Sequence, residues 1–479
     1  MKPVKAGGAK GGRTTETQTP TWGAQTVPET LMFQTASPMP EDRARRLESL
    51  RRWVSPCAWT ERMLEALGQP GAEERRWHAL IDKVHKDSVI EEACDKVLGN
   101  DGAAGIDRIS CGRYAAHREH LNAHVAAALK DGSYRADEVR RKDIPKAGTK
   151  ETRPLGIPTV RDRIVQSALC AVLEPIFDLE FSERSYGFRR GRGCKDALRE
   201  VDRLLKDGRC FVVDADIKGY FNTIPHAKLL KLVAKRIADS KVLSLIQQFL
   251  RRGVLDELRD EDSPQGTPQG GVISPLLANI YLDPLDHLLE AEGFQCIRYA
   301  DDFVILCATR DEAERALSKV REWMVEAELT LHPTKTKIAD LNQIDGHFEF
   351  LGYRFQRCKT RIQRWPRSKS MDKVKDSVRE LTKPCNGFGM KEIIAKLTPK
   401  LRGWYGYFKH SNRWTFSYFD AFIRRRLRSI LRKRSKRKGV SRGNGADHKR
   451  WPNAFFRDLG FWSLADAHRS ELQSLRGNR

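Results

Sequence analysis

The sequence predicts an α+β fold in which antiparallel strands bring acidic side chains together at one end of a sheet. The Tyr-Ala-Asp-Asp segment at residues 299–302 lies between two apolar-alternating stretches, residues 296–298 and 303–307, a pattern typical of a tight β-hairpin with an acidic pair at its turn. A second short apolar strand, residues 211–217, also carries aspartates near its end. Helices are predicted around these strands, and this order favours an antiparallel sheet packed against helices.

The acidic residues of these strands form the first candidate site. Adjacent aspartates repel each other and cost stability unless a cation lies between them, although an isolated pair is ordinarily a solvated acidic turn. Asp216, Asp301 and Asp302 come from two neighbouring strands and could hold two divalent cations, which clamp the attacking and leaving oxygens of a phosphoryl transfer. Asp214 projects from the same strand face as Asp216, and spacing alone does not exclude it. The pattern predicts a polymerase palm.

Composition limits the class of protein and the class of partner. The formal net charge of +24 favours a polyanionic partner, because Lys and Arg placed against phosphates release condensed counterions. No apolar stretch approaches the ~20 residues of a membrane-spanning helix, and no secretory signal is visible at the N-terminus. The ten cysteines form no CxxC pair and no Cys/His cluster at zinc spacing. We therefore expect a reduced, cytoplasmic chain without structural zinc or a membrane anchor.

The elements before residue 211 are predicted to be mostly helical. Residues 1 to about 40 are rich in Gly, Thr, Pro and Lys without an apolar period, which predicts a disordered tail. Apolar residues follow a helical period from residue 41 to 98. The pattern then predicts a helix at 112–131, short strands at 144–148 and 153–158, and helices at 161–177 and 195–206.

The elements after the first acidic strand alternate between helices and strands. A glycine-rich loop at 266–271 opens onto a helix through Leu288, and Thr309 is expected to cap a helix after the acidic hairpin. Strands are predicted at 329–332 and 348–355, and helices from about 370 to 430. Eleven of the nineteen residues at 424–442 are Lys or Arg, so self-repulsion would be severe without a phosphate partner.

Taken in order, these segments resemble the reverse transcriptase/maturases encoded by group II introns, of the bacterial type that lacks an HNH endonuclease domain. Residues 299–302 resemble the reverse transcriptase signature, and residues 216–221 resemble the first metal-binding motif of the family. Other blocks similar to those of the family lie at 102–107, 153–163, 186–193, 268–277 and 401–408. The resemblance extends from about residue 77 to residue 469.

The resemblance implies a right-hand reverse transcriptase fold, with fingers and a palm containing an antiparallel sheet, followed by an α-helical thumb/maturase domain. The catalytic aspartates are then expected in the palm. The implied boundaries are a disordered basic tail at 1–40, a helical N-terminal extension at 41–110, fingers at 111–208, the palm at 209–360, the thumb/maturase domain at 361–435 and a short basic DNA-binding segment at 436–479.

The resemblance also implies roles for residues of the palm and fingers. Asp216, Asp301 and Asp302 are the expected catalytic residues, and with the backbone carbonyl of Ile217 they are expected to hold two Mg²⁺ ions. Phe221 is expected to block the 2′-hydroxyl of an incoming nucleotide, although a core phenylalanine is the alternative. The expected nucleotide-binding residues are Lys146, Arg153, Phe221, Gln269, Gly270 and Lys335, of which the lysines and Arg153 could instead be ordinary surface cations.

Primer and RNA contacts are implied further along the chain. Residues 350–353 resemble a primer-gripping hairpin, and residues 401–408 resemble the maturase signature, in which aromatic residues interleaved with cations suit RNA stacking. For both segments the alternative is that the aromatic residues belong to the core. The expected primer- or RNA-binding residues are Phe350, Leu351, Gly352, Arg402, Trp404, Tyr405, Arg424, Arg425, Arg428, Lys433 and Arg434.

The function implied is that of an RNA-directed DNA polymerase that also helps its own intron to splice. The expected partners are a group II intron RNA, target DNA with its primer 3′ end, and dNTPs, in a bacterial cytoplasm, with the oligomeric state left open. The protein would copy the intron into cDNA by target-primed reverse transcription during retrohoming. The alternatives are a reverse transcriptase recruited to defence or CRISPR adaptation, and a splicing factor with an inactive polymerase.

Overall fold

The computed structural model describes residues 40–145, 152–252, 265–267, 270–359, 361–385, 387–435 and 445–477. Two of the predicted nucleotide-binding residues, Lys146 and Gln269, lie outside these ranges, as does nearly all of the predicted N-terminal tail. The backbone of Arg153 is described, but its side chain is not.

The α+β fold class is confirmed. The strands are β1 (Arg140–Pro145), β2 (Thr152–Ile157), β3 (Phe211–Asp216), β4 (Gln295–Tyr299), β5 (Asp302–Cys307), β6 (Lys337–Asp340), β7 (His347–Phe350), β8 (Tyr353–Cys358) and β9 (Arg361–Pro366). The helices are α1 (Pro40–Arg51), α2 (Glu61–Gly68), α3 (Ile81–Val84), α4 (Asp87–Gly99), α5 (Cys111–Ala115), α6 (Arg118–Asp131), α7 (Val160–Asp178), α8 (Cys194–Lys206), α9 (His226–Arg236), α10 (Ser240–Arg252), α11 (Ser274–Ala291), α12 (Arg310–Glu326), α13 (Ser368–Leu381), α14 (Met390–Phe408), α15 (Arg413–Arg434), α16 (Gly445–Arg450), α17 (Asn453–Asp458) and α18 (Leu464–Gly477).

The central sheet has four antiparallel strands in the order β4-β5-β3-β6, while β1-β2 and β7-β8-β9 form two smaller antiparallel sheets. The strand predicted at 329–332 is wrong. There, Leu331 makes a single bridge to Ile217, and the strand that pairs with β3 is β6. Pro333 explains the shift, because it has no N–H to donate and the chain turns at this residue before β6 begins.

Side-chain alternation gives the central sheet two different faces. Val213, Ala215 and Phe303 pack into a large apolar cluster with α7, α11 and α12. Val212 and Val304 point to the opposite face and pack with α8 and the β7-β8-β9 sheet. Because side chains alternate along a strand, the even-numbered aspartates of β3 and β5 share this second face. The sheet therefore presents its carboxylates towards the β7–β8 hairpin.

A third apolar cluster joins the helices at the C-terminal end of the chain. Side chains from α13, α14 and α15 pack together with Trp451, Phe456, Phe461 and Leu464. The buried carboxylate of Asp420 in α15 accepts hydrogen bonds from the backbone N–H groups of Leu464 and Ala465, each at 3.1 Å, and so caps the N-terminal end of α18. The described part of the predicted DNA-binding segment is thus packed on the helical domain. The boundary at 435/436 stays a prediction.

Within the described ranges, no helix combines the length and apolar composition needed to cross a lipid bilayer. The long apolar helix α11 illustrates why. Almost all of its residues are buried, but these include the polar residues Asp283, Asp286 and His287, so the helix is not uniformly apolar.

Candidate nucleic-acid polymerase site

The predicted acidic hairpin is present at the end of the central sheet. Tyr299 and Asp302 are the last pair between β4 and β5, so Ala300 and Asp301 form a two-residue turn. Ala300 has φ +60°, which is unusual for a residue with a side chain. In the register of β3 against β5, Asp216 lies directly opposite Asp302. Sheet pairing therefore brings the carboxylates of Asp216 and Asp302 together, with Asp301 at the adjoining turn.

The electrostatics of this cluster are those of crowded carboxylates. Burial, together with the neighbouring charges of Asp214, Asp301 and Asp216, raises the pKa of Asp302 to about 7. Burial also raises the pKa of Asp214 to about 6; the charge of Asp216 adds to this shift and that of Lys337 opposes it. A divalent cation would relieve such repulsion, and carboxylate oxygens are the ligands that Mg²⁺ prefers. The donor set therefore fits a divalent metal.

The carboxylates are not arranged as a metal-binding group in this structure. Among the described residues, no three His, Cys, Asp or Glu side chains lie close enough together to share one ion. Instead, Lys335 donates from its Nζ atom to Oδ2 of Asp216 at 2.7 Å; Lys335 is largely exposed and Asp216 is half-buried. Coordination by all three aspartates would therefore require a change of side-chain rotamer.

A buried network that sequence reasoning missed holds the acidic turn. Arg298, at 1% exposure, donates from Nε to both carboxylate oxygens of Asp286 at 2.9 Å. Its Nη1 donates to Oδ1 of Asn279 at 2.9 Å and to the carbonyl oxygen of Ala300 at 3.0 Å. The available signal was a cation in the middle of an apolar strand, which has to find a partner when it is buried.

The same network ties the turn to the basic loop at residues 184–193. Asn279 Nδ2 donates to the carbonyl of Gly187 at 2.8 Å. A Cβ added at Gly187 would lie 2.1 Å from the backbone nitrogen of Ala300, so only glycine allows this approach. Helix α11, the loop and the acidic turn are therefore held together by these contacts.

Phe221 lies where the chain leaves β3, on a short 3₁₀ turn at Tyr220–Asn222. Its ring is 9% exposed and makes edge contacts with Tyr220 and with the half-exposed Phe188. Its backbone carbonyl accepts a hydrogen bond from the Thr267 N–H at 2.6 Å. This placement is compatible with a ring at the edge of a nucleotide site, and the role stays a prediction.

Gly270 lies close to the backbone of β2, and its expected place against the nascent base pair stays a prediction. It has φ +122°, and a Cβ at this position would lie 2.3 Å from the carbonyl oxygen of Gly156 in β2. Glycine is required at this position because the backbone of β2 leaves no room for a side chain.

The β7–β8 hairpin lies against the acidic cluster. Leu351 and Gly352 form its two-residue turn, both with positive φ, as the tight turns of hairpins require. The backbone of Leu351 hydrogen-bonds Asp302 and opposes the rise in the pKa of that carboxyl. From the helical domain, the Tyr407 hydroxyl donates to the Leu351 carbonyl at 2.7 Å. Phe350 is buried in the second apolar cluster, so its ring belongs to the core, which is the alternative given for this segment.

The predicted RNA-binding residues divide into buried and exposed groups. Trp404 packs among Phe408, Phe416 and Phe419, and the Tyr405 hydroxyl donates to Glu471 at 2.8 Å. Arg428, at 2% exposure, donates to the Trp451 carbonyl and to Asn453. Arg424 is half-buried, beside Asp420. The exposed members are Arg402, Arg425, Lys433 and Arg434.

Comparison with known proteins identifies the family of this chain. Residues 144–355 match the family model described as reverse transcriptase (RNA-dependent DNA polymerase), and residues 371–451 match the group II intron, maturase-specific domain. Protein YkfC of Escherichia coli is 32% identical over 335 residues, which cover 60% of this chain and 85% of YkfC. The chain belongs to the group II intron-encoded reverse transcriptase/maturase family. The predicted resemblance is confirmed.

Other members of this family and one complex match smaller regions. The group II intron-encoded protein LtrA of Lactococcus lactis is 44% identical over 162 residues, 34% of this chain and 27% of LtrA. The match therefore spans about a quarter of that relative. A partial Cas6-RT-Cas1–Cas2 complex aligns with a TM-score of 0.34 and 26% identity, over 52% of this chain and 41% of that one. A similarity of this size does not favour one function over another.

Proposed function

We propose that the chain is an RNA-directed DNA polymerase and maturase of a group II intron. The observation that carries the proposal is the pairing of Asp216 with Asp302 next to Asp301, within the region that matches the reverse transcriptase model. In this proposal Asp216, Asp301 and Asp302, with the carbonyl of Ile217, hold two Mg²⁺ ions, which when bound supply the charge that clamps the attacking and leaving oxygens. In the reaction the 3′-hydroxyl oxygen of DNA loses its proton and bonds to the α-phosphorus of a dNTP, while the bond to the β-phosphate breaks and pyrophosphate leaves.

The side chains around the carboxylates then position the substrates. Lys335, which pairs with Asp216, supplies positive charge beside the leaving pyrophosphate, while Lys146 and Arg153 grip the triphosphate. The ring of Phe221 excludes a 2′-hydroxyl, and Gln269 with Gly270 lies against the nascent base pair. The Leu351-Gly352 turn, held between Asp302 and Tyr407, places the primer end. In this proposal the side chains contribute by positioning the substrates and stabilising charge, and none of them acts as a nucleophile.

The helical domain is proposed to bind the intron RNA and stabilise its folded, self-splicing form. The match of residues 371–451 to the maturase-specific domain and the net charge of +24 support this role. The exposed cations Arg402, Arg425, Lys433 and Arg434 are the proposed phosphate contacts. Trp404, Tyr405 and Arg428 act through the packing of the domain instead. In the bacterial cytoplasm, the protein would then copy the intron into cDNA from a primer in the target DNA, the step that completes retrohoming.

Primer extension on poly(rA)/oligo(dT) with Mg²⁺ tests the polymerase, with the wild-type chain compared to Asp301→Ala. The matched control is Asp345→Ala, an exposed aspartate beyond β6, at the end of the sheet opposite the acidic turn. We expect extension by the wild type and the control and its loss in Asp301→Ala. Assisted splicing of a group II intron should survive in all three. Absence of extension by the wild type would leave the splicing factor with an inactive polymerase.

A further inference from the structure

The outer face of α15 carries three aromatic side chains in a row, of which the last, Phe422, packs against the third apolar cluster and the first two do not. Trp414, Tyr418 and Phe422 are four residues apart, so they lie on one side of the helix. Trp414 is 66% exposed and Tyr418 is 59% exposed, while Phe422 is half-buried. The opposite side of α15, with Phe416 and Ile423, is buried in the helical core. The exposed rings are therefore not needed to close the domain.

A cation lies over each of the three rings. Arg413 is 5.2 Å from the centroid of the Trp414 ring, Lys375 is 5.2 Å from that of Tyr418, and Arg379 is 5.7 Å from that of Phe422. Lys375 and Arg379 belong to the neighbouring helix α13, also one turn apart. We call these six residues the α13–α15 face.

The charge on this face favours an anionic occupant. Helix α13 contributes two carboxylates near these cations: Asp376, which pairs with Arg379 at 2.5 Å, and the exposed Asp372, two turns before Arg379. Lys375 and Arg413 add positive charge, and the exposed Arg425 follows about two turns after Tyr418 on the same side of α15. Rings interleaved with cations suit a chain that offers a flat base and a phosphate at each step, as unpaired nucleotides do.

We propose that the α13–α15 face binds unpaired nucleotides of RNA, with bases stacked on Trp414 and Tyr418 and phosphates against Arg413 and Lys375. From Trp414 to Tyr418 the helix rises about 6 Å, which is close to the length of two nucleotides at ~3.4 Å each. The inference deepens the proposed maturase role by naming a surface and the RNA form it takes. It also replaces Trp404 and Tyr405, which the sequence predicted for stacking, with two aromatic residues that are available on the surface.

Binding of a fluorescently labelled pyrimidine RNA of about 15 nucleotides tests the proposal with the full chain. The variant is the double substitution W414A/Y418A, and the matched control is V325A/I344A, whose side chains are also highly exposed but lie on α12 and before β7. We expect binding about 10-fold or more weaker for W414A/Y418A, because each stacked base contributes about 1–3 kcal/mol. The control should bind as the wild type does. Equal affinities in all three proteins would overturn the proposal.

A second pair of variants tests the phosphate contacts. R413Q/K375Q should lower the slope of log affinity against log salt concentration by about 1.4, or ~0.7 for each cation. An unchanged slope would mean that the cations only cover the rings. R310Q, an exposed arginine on α12, is the control for loss of charge.

The form of nucleic acid is decided by two further probes. An RNA duplex of the same length should be insensitive to W414A/Y418A, because its bases are already stacked. Equal losses for single-stranded RNA and DNA would assign the face to any unpaired strand and overturn the preference for RNA. RNA binding by this face and primer extension are separate measurements. Extension of a pre-annealed primer should be retained in W414A/Y418A. If the wild type itself fails to extend the primer, the proposed polymerase is refuted, whereas the proposed RNA-binding face is not affected.

Discussion

Arg298 donates a hydrogen bond to the carbonyl oxygen of Ala300, two residues along the chain, from a position with 1% exposure. The bond joins the last buried residue of β4 to the turn that carries Asp301. Because the same guanidinium is bound to Asp286 on α11, the position of the turn depends on a helix at the far side of the sheet. An acidic turn held in this way is pre-organised by its support, so changes in the support should alter the proposed polymerase activity.

The first prediction concerns Asn279, which links Arg298 to Gly187. Asn279→Ala keeps the Arg298–Asp286 ion pair but removes two buried hydrogen bonds, so we expect a loss of about 1–3 kcal/mol in the free energy of unfolding. Primer extension should fall further than the stability loss explains, and should need more Mg²⁺. Urea unfolding and Mg²⁺ titrations of extension measure both effects. Tyr114→Phe, which removes a buried hydrogen bond to Asn122 far from the turn, is the control that should leave the Mg²⁺ dependence unchanged.

The second prediction compares two glycines. In Gly187→Ala the new methyl group overlaps the backbone of Ala300, so we expect about 1–3 kcal/mol of destabilisation and a loss of extension. In Gly403→Ala no atom lies within 4 Å of the new Cβ, and the residue is exposed inside α14. That substitution should raise stability by about 0.5–1 kcal/mol, because alanine favours a helix interior. Thermal unfolding of both variants checks the contrast; similar melting temperatures would contradict it.

The third prediction concerns selection between dNTPs and rNTPs. Phe221→Ala should raise the relative kcat/KM for rNTPs by about 10-fold or more, because in the proposed site this ring is what excludes the 2′-hydroxyl. Phe188→Ala removes the ring that contacts the edge of Phe221 and should have a smaller effect. Single-nucleotide incorporation assays give the ratios. If Phe221→Ala lowers the incorporation of both nucleotides equally, Phe221 is a core residue.

The fourth prediction is a pH dependence of stability. Burial alone would lower the pKa of His287, but the neighbouring carboxylates of Asp283 and Glu290 raise it to about 11. The folded chain therefore keeps a proton that the unfolded chain releases above about pH 6.5. This stabilisation is complete below about pH 6.5 and is lost as the pH rises towards the folded pKa, by up to about 1.4 kcal/mol per unit.

The measurement is urea unfolding of the wild type and His287→Gln at several pH values between about 6.5 and 9. The difference in the free energy of unfolding between the wild type and His287→Gln should become smaller as the pH rises. His78→Gln, at an exposed position, should show a gap near zero at every pH. A gap for His287→Gln that widens with pH would reverse the assigned sign.

Local features of the chain made several elements predictable. The alternation on either side of residues 299–302 gave the β4–β5 hairpin, and the Thr309 side chain does cap α12 by accepting from the Glu312 N–H. Both depend on residues close in sequence. The strand expected at 329–332 failed for the opposite reason, since apolar residues before Pro333 satisfy a strand pattern and only the pairing with β3 decides where the ladder forms.

The sequence by itself determined the fold class, the family and the identity of the acidic residues, because strand alternation, turn chemistry and ordered motifs are written in short segments. The tertiary structure decided which side chains are available. It buried Arg298 against Asp286, packed the half-buried Trp404 among phenylalanines, and left Trp414 and Tyr418 in solvent. Whether each of these side chains is buried or exposed depends on how helices and strands that are distant in sequence pack together. Aromatic and basic residues occur both in protein cores and on binding surfaces, so their type alone does not decide between the two.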